Sequence, residues 1–201
     1  AYAGILNDIK TLIPIAEKGE LFVHAGMARV LRASVLLNLV DAFGDVPYTE
    51  ALDPYNFVPK ADGAASVYTA AIADIDKAIE NFNAKSKSGL TVDLYYGGTV
   101  DNWIRAANTL KLKALLNRRL VDQAGSKTGI DALITGGKLI SATAQNFTLK
   151  YGTNLTNPDN RHPRYGGQYT ATGGGDYQSN AYMGGMFDKQ DPRIRAYFYR
   201  Q

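Results

Sequence analysis

Apolar residues at Ile5, Leu6, Ile9, Leu12, Ile13, Ile15 and Ala16 have a spacing compatible with a short first helix, although Pro14 sits late in it. Gly19 is placed to end that helix. A second helix is predicted from about Leu21 to Phe43. It is apolar around most of its circumference, which places it centrally. Arg29 and Arg32 share one face of it. Its apolar run from Val23 is interrupted by Arg29, Arg32, Asn38 and Asp41, the pattern of a buried helix rather than a membrane span. Gly44-Asp45-Val46-Pro47 stops it, glycine as C-cap and proline forbidding continuation. With Pro47, Pro54 and Pro59, residues 45–62 read as an extended connection.

The third helix carries Val67, Tyr68, Ala71, Ile72, Ile75, Ala78, Ile79 and Phe82 on one stripe, opposite Asp74, Asp76, Lys77 and Glu80, with Asp62 or Ser66 as cap. A polar linker from Ala84 ends in Tyr95-Tyr96-Gly97-Gly98. The fourth helix, about Val100 to Val121, opens with the cap candidate Asp101 and Trp103. Lys111, Lys113, Arg118 and Arg119 load its far end, where a helix dipole favours cations. A shorter helix is expected over Ile130–Leu139, broken at Gly136-Gly137. Phe147 to Tyr151 alternates like a short strand. Residues 152–185 are rich in Gly, Asn, Thr and Tyr, far longer than an ordinary loop. The expected fold is therefore mainly α: tetratricopeptide-like antiparallel helix pairs with long irregular loops and little strand, without an exact repeat of about 34 residues. Residues 1–145 form the helical scaffold, and residues 146–201 a loop-rich segment leading into an absent C-terminal part. The end at Tyr199-Arg200-Gln201, just after an apparent helix start, reads as that of a fragment.

Composition changes this picture little. Apolar residues make up 45% of the 201 and charged residues 20%, which argues against general disorder. The net charge of +3 is too weak to argue for nucleic acid. It conceals an asymmetry. Residues 1–100 hold 8 Lys+Arg against 12 Asp+Glu, and residues 101–201 hold 14 against 7. A basic half can attract anionic ligands or an acidic partner, but such charges more often merely solvate helix faces. With no cysteine, there can be no disulfide, thiolate catalysis or cysteine zinc site.

No G-x-S-x-G elbow, H-E-x-x-H, EF-hand loop or P-loop occurs. His24 falls in or beside the second helix, where it reads as a core or capping residue, and His162 lies between Arg161 and Pro163 in a loop. Asn157-Pro158-Asp159-Asn160 could offer oxygen ligands to calcium but is better read as a turn. No catalytic set, metal or cofactor is therefore expected. What remains is aromatic: 13 tyrosines, of which Tyr165, Tyr169, Tyr177 and Tyr182 lie in the glycine-rich stretch, with Tyr95 and Tyr96 before the fourth helix. Rings with a polar tip suit sugar or peptide recognition, and these six are the candidate ligand contacts. The competing reading is that they staple loops to helices.

Three segments in order, with a fourth near the end, resemble the SusD/RagB-like family of Bacteroidetes outer-membrane lipoproteins. The first is Ala28-Arg29-Val30-Leu31-Arg32-Ala33 running into Leu39-Val40-Asp41-Ala42-Phe43-Gly44-Asp45-Val46-Pro47-Tyr48. The second is Val67-Tyr68 with Ile72-Ala73-Asp74-Ile75-Asp76-Lys77-Ala78-Ile79. The third runs from Trp103 through Ala107-Asn108 and Leu110 to Ala114, with Arg118 a turn later, and matches the subgroup pattern W-x-x-x-A-N-x-L-x-L. Asp191-Pro192-Arg193-Ile194 also fits.

The resemblance implies a non-catalytic, cell-surface binding protein on the extracellular face of the outer membrane. Such a protein captures a glycan or peptide nutrient for a SusC-like TonB-dependent transporter. It also implies a precursor with a signal peptide and an N-terminal lipid anchor upstream of Ala1. The motif residues Arg29, Gly44, Asp45, Pro47, Trp103 and Asn108 are expected to be architectural. The alternative function is a helical-repeat protein–protein adaptor without a small ligand.

Overall fold

Helix α2 (Phe22–Phe43) buries residues around most of its girth, from Val23 and Ala25 through Ala33 to Leu36, Leu37 and Val40. The reason is its neighbours: α1 (Asn7–Lys18), α3 (Ala64–Asn83) and α4 (Val100–Arg118) all pack against it in the computed structural model. By length and hydropathy this helix could cross a membrane, yet half of its apolar window is buried by protein and its two arginines are paired. The structure describes residues 1–156, 159–170, 173–174 and 179–197, with backbone alone for 166–170 and 173–174.

Two compact units divide the chain, Ala1–Leu149 and Lys150–Gln201. In the first, a wide turn at Tyr2–Leu6 leads into α1, and consecutive helices pack pairwise through α5 (Gln123–Gly136), the stacking of tetratricopeptide-like pairs. The core is continuous from Leu6 through Leu36, Ile75 and Phe82 to Trp103 and Ala114. The second unit contains α6 (Pro163–Gln168), a two-residue antiparallel pair of β1 (Tyr169–Thr170) with β2 (Gly173–Gly174), α7 (Asn180–Asp188) and α8 (Ile194–Tyr197). Among the described residues, that pair and an isolated bridge between Val46 and Asp62 are all the β structure. The chain is mainly α.

Several local expectations are corrected. Gly19 does end α1 as its C-cap, while the positive φ of 57° falls on Glu20. Asp62 does not cap α3. Its carboxylate accepts the amides of Tyr48 and Thr49, and Asp45 Oδ1 accepts the amide of Ala64 at 2.8 Å instead. Asp101 does not cap α4 but pairs with Arg105 and Lys138. Helix α5 begins at Gln123, well before Ile130, because Asp122 accepts the Gly125 amide at 3.0 Å and supplies the cap. It does end at Gly136-Gly137, with Gly137 left-handed at φ 65°. Residues 147–151 form no strand: Phe147 turns inward to an aromatic cluster.

Candidate functional site

The six tyrosines proposed for ligand contact divide into two groups. Tyr95 and Tyr96 belong to a knot around Trp103, which is 0% exposed. Asp93 builds it: one carboxylate accepts the amides of Tyr95, Tyr96 and Gly98 and, at 2.8 Å, the Trp103 Nε1–H. Gly97 and Gly98, both at positive φ, let the chain curl back around that carboxylate. Tyr95 stacks on Phe147 with centroids 4.2 Å apart and 10° between planes. Tyr96 meets Trp103 edge-on, is 9% exposed, and donates its hydroxyl to Gln145 O at 2.9 Å. Burial pushes its hydroxyl up to about 12, with the Asp93 charge adding to the effect. Tyr96 therefore staples the 93–98 loop and the Thr143–Gln145 turn to the core, and its ring is withdrawn from solvent. Tyr95 is only half-buried.

The second group lies in the other unit. Tyr165, in α6, is 49% exposed and has the Arg161 guanidinium 5.8 Å from its ring centroid. Arg161 is fixed by a forked contact to Asp159, at 3.0 and 2.7 Å. That contact holds the Asp159 carboxyl down at about 2, the Arg161 side-chain bond being the largest cause. Beside them Tyr151 meets the His162 ring edge-on at 4.7 Å, and His162 Nδ1 accepts the Arg164 amide. Tyr182, on α7, is 55% exposed. Tyr169 lies in β1, of which only the backbone is described, and Tyr177 lies outside the described residues. So does half of the Asn157–Asn160 turn.

Sequence reading missed Asp93 and Phe147 in the first group and Arg161 and Tyr151 in the second. An Asp two residues before a Tyr-Tyr-Gly-Gly run was an available signal for an Asp-capped turn. Arg161 pairs locally, two residues after Asp159 and four before Tyr165, whereas Phe147 and Tyr151 join through contacts more distant in sequence that no local pattern displays.

The motif residues are woven into the scaffold. Arg29 donates to Glu17 at 2.7 Å and to Asp74 at 3.1 Å, while Arg32 grips the same Asp74 at 2.6 and 2.5 Å. These bonds tie α1, α2 and α3 together. Gly44 takes φ 77° at the end of α2. Pro47 O receives the Tyr2 hydroxyl. Asn108 Nδ2 donates to Lys138 O at 3.0 Å. His24 is half-buried in α2 with Nδ1 unpartnered. Among the described residues no group of three or more acidic or histidine side chains could hold a metal.

The sequence profile of the family SusD-like_2, described as starch-binding and associating with outer membrane, matches residues 1–201. No curated protein matches the chain. Among solved structures, a SusD homolog from Bacteroides fragilis superposes with TM-score 0.76 at 22% identity, over 96% of this chain and 41% of that one. A SusD/RagB family protein from Bacteroides thetaiotaomicron gives 0.72 at 25% identity, over 96% and 40%. A chitin-binding protein gives the same values. This chain spans about two-fifths of the length of those structures.

Proposed function

Since the chain belongs to the SusD-like_2 family, which its sequence matches from end to end, we propose that it is the helical part of a non-catalytic nutrient-binding protein. That protein captures a glycan or peptide at the outer-membrane surface and delivers it to a SusC-like TonB-dependent transporter. A lipid anchor on the extracellular face, carried by a precursor with a signal peptide, is part of the same proposal. So are the subgroup marked by the Trp103-to-Leu112 pattern and a scaffold over residues 1–145 followed by a loop-rich segment over 146–201.

The observation that carries the reading is the family match over the whole chain. The architecture supports it. The motif arginines tie helices together, Trp103 is spent on the Asp93 loop and Pro47 on Tyr2. Tyr165 and Tyr182 meanwhile keep large ring areas at the surface, where stacking on a sugar or peptide needs no rearrangement of the core. The chitin-binding neighbour makes a glycan the first ligand class to try. Tyr165, Tyr169, Tyr177 and Tyr182 remain the proposed contacts, and Tyr95 is a further one proposed in the first unit.

Calorimetric titration against oligosaccharide and peptide panels tests the reading. Saturable binding of one class is expected, weakened at least several-fold in Tyr165→Ala. Silence across both panels would favour the adaptor.

A further inference from the structure

An open cleft of about 380 Å³ lies between the Tyr2–Leu6 turn, α1, α2 and the segment from Tyr48 to Asp53. It runs on into a hollow of about 530 Å³ that shares Tyr2, Lys10, Ala51, Leu52 and Asp53. These volumes fall in the range of small-molecule sites. None of this cleft's residues was among the tyrosines singled out above.

Its walls are fixed before any ligand arrives. The Tyr2 hydroxyl donates to Pro47 O at 2.8 Å, and Lys10 Nζ to Leu52 O at 2.6 Å. The Asp62 carboxylate accepts the amides of Tyr48 and Thr49 at 2.9 and 2.8 Å. Arg32 is held by both oxygens of Asp74. Stiff walls spare a ligand the entropic cost of ordering them.

The lining chemistry narrows the occupant. Two tyrosine rings provide flat apolar faces. The Lys10 ammonium has three donors and spends one on Leu52. Asp53 gives Oδ1 to the Tyr55 amide, and its second oxygen can accept. Donors and acceptors lining one cleft suit hydroxyl groups, which do both. The charges are compensated: Arg32 is matched by Asp74, and Lys10 faces the same cleft as Asp53. A carboxylate on the ligand would gain no net attraction.

We propose that this cleft is a second glycan subsite, holding a neutral sugar ring against Tyr2 and Tyr48. The assignment rests on the glycan-capture reading and narrows it from glycan or peptide to uncharged oligosaccharide. The 201-residue chain is titrated with maltohexaose, chitohexaose, hexagalacturonate and trialanine. Ala51→Trp fills the cleft while removing no hydrogen-bonding side chain, and Lys10→Ala, at an exposed position, reads the same cleft should the first variant fold poorly.

A neutral hexasaccharide is expected to bind the unmodified chain. Its affinity should fall at least tenfold in Ala51→Trp and about threefold in Lys10→Ala, with melting temperatures unchanged. Neutral-sugar binding that both variants leave intact overturns the subsite while glycan capture stands. Preference for hexagalacturonate overturns the neutral assignment. Absence of all binding overturns the capture reading and the subsite with it.

Discussion

A Cβ built on Gly26 would fall 2.8 Å from the Phe82 ring and 3.1 Å from the Ala78 carbonyl oxygen. Helices α2 and α3 approach this closely only because position 26 has no side chain. The Phe82 ring cannot simply swing away, since it is itself buried and lies 6.3 Å from the Trp103 ring. Gly26→Ala is therefore expected to destabilise the protein by about 1–3 kcal/mol through overpacking, although alanine is the better helix former. Urea unfolding followed by circular dichroism measures it, and a midpoint at or above that of the parent would show that the ring has room to move. Individual residues of this kind were hard to read from sequence. Trp103 was legible as a packing residue, but Tyr96 looked like its neighbour Tyr95 until the fold gave it Gln145 as a partner. Two adjacent tyrosines share composition and local context. Only tertiary contacts separate the buried staple from its half-buried neighbour.

The elements were far more legible, and the exceptions share a cause. Helices α2, α3 and α4 were predicted to within a few residues because each is long and buries a large apolar surface. Helix α5 was read short because its first turns, Gln123 to Gly129, are polar and glycine-bearing and bury only Ser126. Its start depends on the Asp122 cap, a single-residue signal. The 147–151 segment alternates like a strand, yet among the described residues no strand pairs with it, and Phe147 joins the Trp103 cluster.

Between elements, the decisive contact is ionic. Asp74 on α3 is 5% exposed and receives both Arg29 and Arg32 of α2, with Glu17 of α1 on the far side of Arg29. Removing the shared anion would strand two poorly solvated guanidinium groups. Asp74→Ala should cost about 3–5 kcal/mol, whereas Glu17→Ala, at a more exposed carboxylate, should cost well under half of that. Equilibrium denaturation of the two variants checks the ranking, and equal losses would mean the network is not centred on Asp74.

On the scale of the whole molecule, its titrating groups pull stability in opposite directions at the two ends of the pH range. Asp62 is held below the ordinary carboxylate value, first by the Thr49 amide. Asp101 is lowered first by Lys138 and then by Arg105. Burial alone would raise Asp93, but the Trp103 indole and the amides of Tyr95, Gly98 and Tyr96 outweigh it and leave it lowered. Asp159 and Asp191 sit at about 2, each gripped by an arginine two residues on. For all of these the unfolded chain binds protons more readily than the native one. Their contribution is complete above about pH 4–5, near and just above the unfolded carboxylate value, and drains away as pH falls toward 2. Tyr96 runs the other way. Its folded value of about 12 lies above the unfolded value near 10, so its contribution is complete below pH 10 and is lost as pH rises through 12.

Thermal melts should show a plateau across neutral pH with a falling limb on each side. Asp93→Asn should lower the plateau and flatten the acid limb, because the carboxylate that titrates is gone while one oxygen still accepts. Tyr96→Phe should flatten the alkaline limb alone, since phenylalanine keeps the ring against Trp103 and has no proton to lose. If the acid limb kept its slope in Asp93→Asn, acid sensitivity would have to come from the other lowered carboxylates, Asp62, Asp101, Asp159 and Asp191 among them, and the 93–98 loop would owe its shape to packing rather than to the charge at its centre.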